Sequence, residues 1–65
     1  MTVRVNGHDR EIAQGTTVRQ LIEQHQLKPE KVAVELNRRL IRTDKYDLPL
    51  SEGDEIEIVT FVGGG

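Results

Sequence analysis

The chain has 65 residues, a formal net charge of −2 and no cysteine. That length supports one domain with a thin core, and without cysteine neither a disulfide nor a thiolate metal site can staple it. The missing basic surplus argues against a nucleic-acid partner, and with only Tyr46 and Phe61 aromatic there is no platform on which bases could stack. No apolar run approaches the roughly 20 residues that span a bilayer. Met1-Thr2-Val3-Arg4-Val5 lacks the apolar stretch of a secretory leader. The expectation is a cytoplasmic protein with neither nucleic-acid nor membrane partner.

Thr2 to Val5 alternates, with Val3 and Val5 on one side, and predicts a short half-buried strand. Asn6-Gly7 follows, a hairpin signal because both central positions of a type I′ turn need positive φ. His8 to Ile12 is the polar return strand, expected at an edge. After the break at Gln14-Gly15-Thr16, Thr17 opens a helix, and Gln20 three residues later completes a capping box. Val18, Leu21, Ile22 and His25 share one helical face. Leu27 is expected to close the helix against the core, with Lys28-Pro29 ending it, since the residue before proline is pushed out of helical dihedrals.

Val32 to Leu36 is rich in β-branched residues and predicts a strand. Asn37-Arg38 is a turn, and Leu40-Ile41-Arg42 a short partner strand. Thr43 to Leu50 shows no period and reads as a loop with a helical turn. Ser51-Glu52-Gly53-Asp54 is a tight turn. Glu55 to Val62 is the last strand, with Ile56, Ile58, Thr60 and Val62 on one face and Glu55, Glu57, Val59 and Phe61 on the other. Strand hairpin, helix, strand, short strand and long strand make an α+β order. One helix would cover one face of a small mixed sheet, with the first and last strands as parallel neighbours. That is the β-grasp, or ubiquitin-like, architecture, expected to occupy residues 1–62 and to leave 63–65 as a flexible tail.

Few side chains carry chemistry. His8 and His25 have no second histidine or cysteine at ligand spacing, so no metal site is expected, and no nucleophile–histidine–acid set is present. Arg38, Arg39, Arg42 and Lys45 form a basic cluster, and Glu52, Asp54, Glu55 and Glu57 an acidic one. Both suit a solvated surface and either could steer a partner. Val59 and Phe61, opposite Ile56 and Ile58, are candidates for an apolar docking patch, with Leu40 and Ile41 as contributors.

Gly63-Gly64-Gly65 follow directly on the last strand and close the sequence. A terminal carboxylate is ionised at neutral pH, with a reference pKa of about 3.5, and can attack the α-phosphate of ATP. It becomes a useful electrophile only as an acyl-adenylate. Glycine has no Cβ, so the extended backbone of Gly63 and Gly64 could thread a narrow channel and leave the acyl carbon of Gly65 open to attack.

Val32-Ala33-Val34-Glu35-Leu36-Asn37, Pro49-Leu50, Gly53-Asp54-Glu55-Ile56-Glu57-Ile58-Val59 and Phe61-Val62-Gly63-Gly64-Gly65 together resemble the ThiS family, the sulfur carriers of thiamine biosynthesis. Val5-Asn6-Gly7 and Thr17-Val18 match it too, so the resemblance spans essentially the whole chain. Asn37-Arg38 departs from it, since relatives often carry Asn-Gly there. The resemblance implies a non-enzymatic carrier whose Gly65 carboxylate is adenylated by an E1-like (ThiF-like) adenylyltransferase. It is then converted to a thiocarboxylate with sulfur drawn from cysteine through a desulfurase. A ThiG-like thiazole synthase receives the sulfur. The chain itself would bind no cofactor, ATP being used by the activating partner. Other readings stay open: a thiocarboxylate carrier for molybdopterin or another sulfur-transfer pathway, a β-grasp interaction module with incidental glycines, or a modifier attached to proteins as ubiquitin is.

Overall fold

The computed structural model describes residues 1–61. Five strands and one α-helix are formed: β1 (Thr2–Val5), β2 (His8–Glu11), α1 (Val18–Gln24), β3 (Val32–Leu36), β4 (Arg39–Ile41) and β5 (Glu55–Thr60), with 3₁₀ turns at Pro29–Lys31 and Thr43–Lys45. The strands join in one sheet of order β2-β1-β5-β3-β4. β1 and β5 are parallel, and the other pairings are antiparallel. The expected division at residue 62 lies in part outside the described residues, as do Val62, Gly63, Gly64 and Gly65.

Strand alternation sends Val3, Val5, Val32, Val34, Ile56 and Ile58 to one face of the sheet, where Val18, Leu21 and Ile22 of α1 cover them. Each such side chain contributes roughly 1.5–3 kcal/mol when taken from water. Met1, Ile12, Leu27, Leu36 and Ile41 pack around the rim of this core. Tyr46 and Leu50, from the long loop between β4 and β5, complete it; Tyr46 is only 2% exposed.

The helix starts as its sequence dictates. The Thr17 hydroxyl accepts from the Gln20 N–H at 3.1 Å, and the Gln20 side chain accepts from the Thr17 N–H at 3.0 Å, so two otherwise orphaned donors are satisfied. It stops earlier than expected, at Gln24 rather than at Lys28-Pro29. Gln26 takes the left-handed conformation with φ 61°. The Gln26 N–H then donates to the Glu23 carbonyl at 2.9 Å, and the Leu27 N–H to the Ile22 carbonyl at 3.1 Å. This double closure is a Schellman motif, built with glutamine where glycine is usual. It folds Leu27 back onto the core. Pro29 instead begins the 3₁₀ turn that leads into β3. His25, half-buried at the helix end, points its Nδ1 at the Leu21 carbonyl 2.9 Å away.

Smaller differences lie at strand ends. β2 stops at Glu11, although the Ile12 N–H still donates to the Met1 carbonyl at 2.8 Å. β4 is shifted one residue from expectation, to Arg39–Ile41.

Candidate docking face at the exit of β5

β5 is the central strand, with β1 on one side and β3 on the other. Two tight turns hold it in register through their asparagine side chains. In the β1–β2 turn, Asn6 and Gly7 have φ of 50° and 83°. The Asn6 N–H donates to the Ile56 carbonyl at 2.8 Å. Its Oδ1 accepts from the Ile58 N–H at 2.7 Å, and its Nδ2 donates to the Ile58 carbonyl at 3.3 Å. Backbone pairing between β1 and β5 covers only Arg4–Glu55 and Val5–Ile56, so one asparagine carries the contact two residues further along β5.

The β3–β4 turn does the same at the start of the strand. Asn37 and Arg38 have φ of 52° and 70°. The Glu55 N–H donates to Asn37 Oδ1 at 2.9 Å, and the Asn37 N–H to the Glu55 carbonyl at 2.7 Å. Asn37 Nδ2 reaches Asp54 Oδ1 at 3.1 Å. A β-carbon at φ 70° is disfavoured by about 1–2 kcal/mol, so Arg38 sits where glycine would be at ease. The sequence predicts both turns but not their second task, because the partners lie 52 and 18 residues away.

The face away from the helix carries no covering element among the described residues. Register places on it Thr2 and Arg4 from β1, Asp9 and Glu11 from β2, Ala33 and Glu35 from β3, Leu40 from β4, and Glu55, Glu57 and Val59 from β5. Phe61 continues the alternation, its N–H donating to the Lys31 carbonyl at 3.1 Å. Val59, Phe61 and Leu40 are 56%, 64% and 70% exposed. Ile41, grouped with them on sequence grounds, does not belong to this surface. It pairs with buried Val34 and is half-buried against the core. Adjacent residues of a strand point to opposite faces, so Leu40 and Ile41 cannot both face outward.

One residue of each charged cluster meets the other on this side. Arg38 Nε lies 4.0 Å from Glu55 Oε1, both groups being well exposed, a contact worth at most about 1 kcal/mol. Arg4 is the register neighbour of Glu55 and pairs with Asp9 at 3.3 Å. On the far side of the molecule Arg19 holds Asp47 at 2.8 Å and lies 5.9 Å from the Tyr46 ring centroid. Burial raises the Tyr46 hydroxyl pKa above its usual value, with Arg19 opposing in part. Sequence periodicity does not place this tyrosine in the core. The signal that it belongs inside is its being one of two aromatic residues in a chain with so few large apolar side chains. Among the described residues no group of three or more histidines and acids gathers as a metal site would require. Nor is any described helix long and apolar enough to cross a membrane.

One helix packed on a five-stranded sheet of order β2-β1-β5-β3-β4, with parallel β1 and β5, defines a β-grasp protein. The crystal structure of the thiamine biosynthesis protein ThiS from Geobacter metallireducens superposes with a TM-score of 0.81 at 30% identity, covering the whole of both chains. The sulfur carrier protein ThiS of Bacillus subtilis is 38% identical over 65 residues, covering 97% of this chain and 98% of that protein. A thiazole synthase of Magnetococcus marinus is 39% identical over the full length of this chain, which spans only 20% of that longer protein. The ThiS family model matches residues 3–65. The chain belongs to the ThiS family.

Proposed function

We propose that this chain is a sulfur carrier for formation of the thiamine thiazole, and that the carboxylate of Gly65 is its reacting group. The observation that carries the reading is a family match running through residues 3–65, the three glycines included. In the first step a carboxylate oxygen of Gly65 attacks the α-phosphate of ATP on an E1-like adenylyltransferase, and pyrophosphate leaves. A sulfur nucleophile, supplied as a persulfide that a cysteine desulfurase has charged, then attacks the acyl carbon. AMP leaves, and reductive release from the sulfur donor by a thiol gives the thiocarboxylate. Thiazole synthase accepts that sulfur; the shared domain in the thiazole synthase of Magnetococcus marinus supports this choice of acceptor over another pathway. ATP is bound by the activating partner and not by this chain. Gly63 and Gly64 present no side chain to the channel that admits Gly65. Val59, Phe61 and Leu40 dock beside it.

The test is intact mass. The chain is incubated with its cognate adenylyltransferase, ATP, desulfurase, cysteine and thiol reductant. A mass gain equal to exchange of one oxygen for sulfur is expected, confined to the peptide ending at Gly65. An unchanged mass with an adenylyltransferase proven active on another carrier overturns the reading. Appending one residue after Gly65 should abolish the exchange and leave folding unaltered.

A further inference from the structure

The open face holds an arrangement that folding alone does not favour. Glu35 on β3 and Glu57 on β5 are directly opposite one another across the antiparallel pair. At that position Cβ atoms stand about 4.5–5.5 Å apart, and like charges destabilise the sheet. The neighbouring acid on β5 is treated differently. Glu55 has Arg38 at 4.0 Å and Arg4 as its register neighbour. Among the described residues neither the Glu35 nor the Glu57 side chain has an ion-pair or hydrogen-bond partner. Both line one shallow depression together with Glu55, Arg4 and Arg38.

A second observation concerns what frames the two acids. Val59 and Ala33 form the next cross-strand pair along the same face, and Leu40 is the register partner of Glu35 on the other side. Val59, Leu40 and Phe61 are all more than half exposed. The result is a pair of carboxylates without ion-pair partners, bordered on one side by apolar side chains that can shield a charge-assisted contact from water, and on the other by the charged residues Arg4, Arg38 and Glu55. The border also leads to Phe61, from which four residues remain to Gly65. Fully extended, they reach at most about 14 Å. The reacting centre of any enzyme that acts on Gly65 therefore lies within about 14 Å of Phe61.

We infer that the Glu35–Glu57 pair is a socket for an arginine or lysine of the activating adenylyltransferase, set among apolar side chains that pack on Val59, Leu40 and Phe61. The inference rests on the carrier reading above, deepening it by specifying what the partner's surface must present. The basic group supplies the direct ion pair that neither acid has in the free carrier, where Arg4 and Arg38 pair with Asp9 and Glu55 instead, so the repulsion between the two acids is relieved on docking. The like-charged pair thereby favours the bound state over the free one and selects against partners with acidic or plain apolar surfaces.

The double variant Glu35→Gln, Glu57→Gln separates docking from folding, because the two roles move in opposite directions. Removing the repulsion should raise the thermal midpoint of the carrier. Calorimetric titration of the cognate adenylyltransferase without ATP should nevertheless show binding about tenfold or more weaker than for the native chain, with a flatter dependence on salt. In the adenylation assay KM for the carrier should rise about tenfold, with kcat changed less than about twofold. Equal affinity and equal salt dependence for native and variant chains would overturn the inference. So would concentration-dependent self-association of the native chain that the variant abolishes, which assigns the face to a second copy. Native binding that weakens in the variant, with no modification of Gly65 in either, would sink the carrier chemistry and leave the socket standing.

Discussion

The two faces of the sheet are made from the same strands by the same alternation, yet they obey different rules. The helix-covered face takes aliphatic residues from β1, β3 and β5 and packs them against the helix: Val3, Val5, Val34, Ile56 and Ile58 meet Val18, Leu21 and Ile22. The open face sets like charges against each other at Glu35 and Glu57 and leaves Val59, Leu40 and Phe61 in water. A residue on the first face affects how firmly the chain folds. On the proposed reading, a residue on the second affects what the folded chain can meet. Substitutions that move one property without the other test that division.

The largest effect on folding is expected at Ile22, which is fully buried. Ile22→Ala should cost about 2–5 kcal/mol in chemical denaturation, while the fraction that remains folded should bind the adenylyltransferase with unchanged affinity. Asn6→Ala removes both side-chain bonds to Ile58 and leaves that backbone pair unpartnered, at a cost of about 1–3 kcal/mol; hydrogen exchange at Ile58 should rise more than at Val34. Arg38→Gly relieves a left-handed residue and should gain up to about 1 kcal/mol, since the exposed contact to Glu55 that it loses is worth little. Phe61→Ala should leave stability within about 0.5 kcal/mol and weaken docking several-fold. Stability loss exceeding docking loss there would erase the distinction between the faces.

A last test uses pH. Burial raises the Tyr46 pKa above the reference value of 10.0, so the folded state holds the phenolic proton more firmly than the unfolded chain does. That stabilisation is complete below about pH 10 and is lost as pH rises toward the folded-state pKa. Thermal midpoints measured from pH 9 upward should fall for the native chain and fall less for Tyr46→Phe.

Local features of the fold are readable in the sequence. The helix start at Thr17, the two turns and the assignment of Ile56 and Ile58 inward against Val59 and Phe61 outward all depend on spacing within a few residues. What escapes depends on distance. The helix ends short of its expected stop because Gln26 adopts a conformation that its residue type does not advertise, held by a motif that buries Leu27. Ile41 falls on the other face from the one expected because a three-residue strand shows too little alternation to set its phase; only its pairing with Val34 does so. The Glu35–Glu57 opposition likewise exists only once β3 and β5 are in register. The glycines are legible as chemistry, since a side-chain-free run after a strand needs no tertiary context to be noticed.

The placement of β5 has a mechanical consequence. The strand that leads toward Gly65 is neither an edge nor a loosely tethered arm; it is flanked on both sides and pinned by Asn37 at its start and Asn6 near its end. Traction along the axis of β5 meets the rungs of two neighbouring strands in shear, many at once, instead of unzipping them one by one. A pull along this axis is therefore resisted by the sheet as a whole, and does not peel the domain apart.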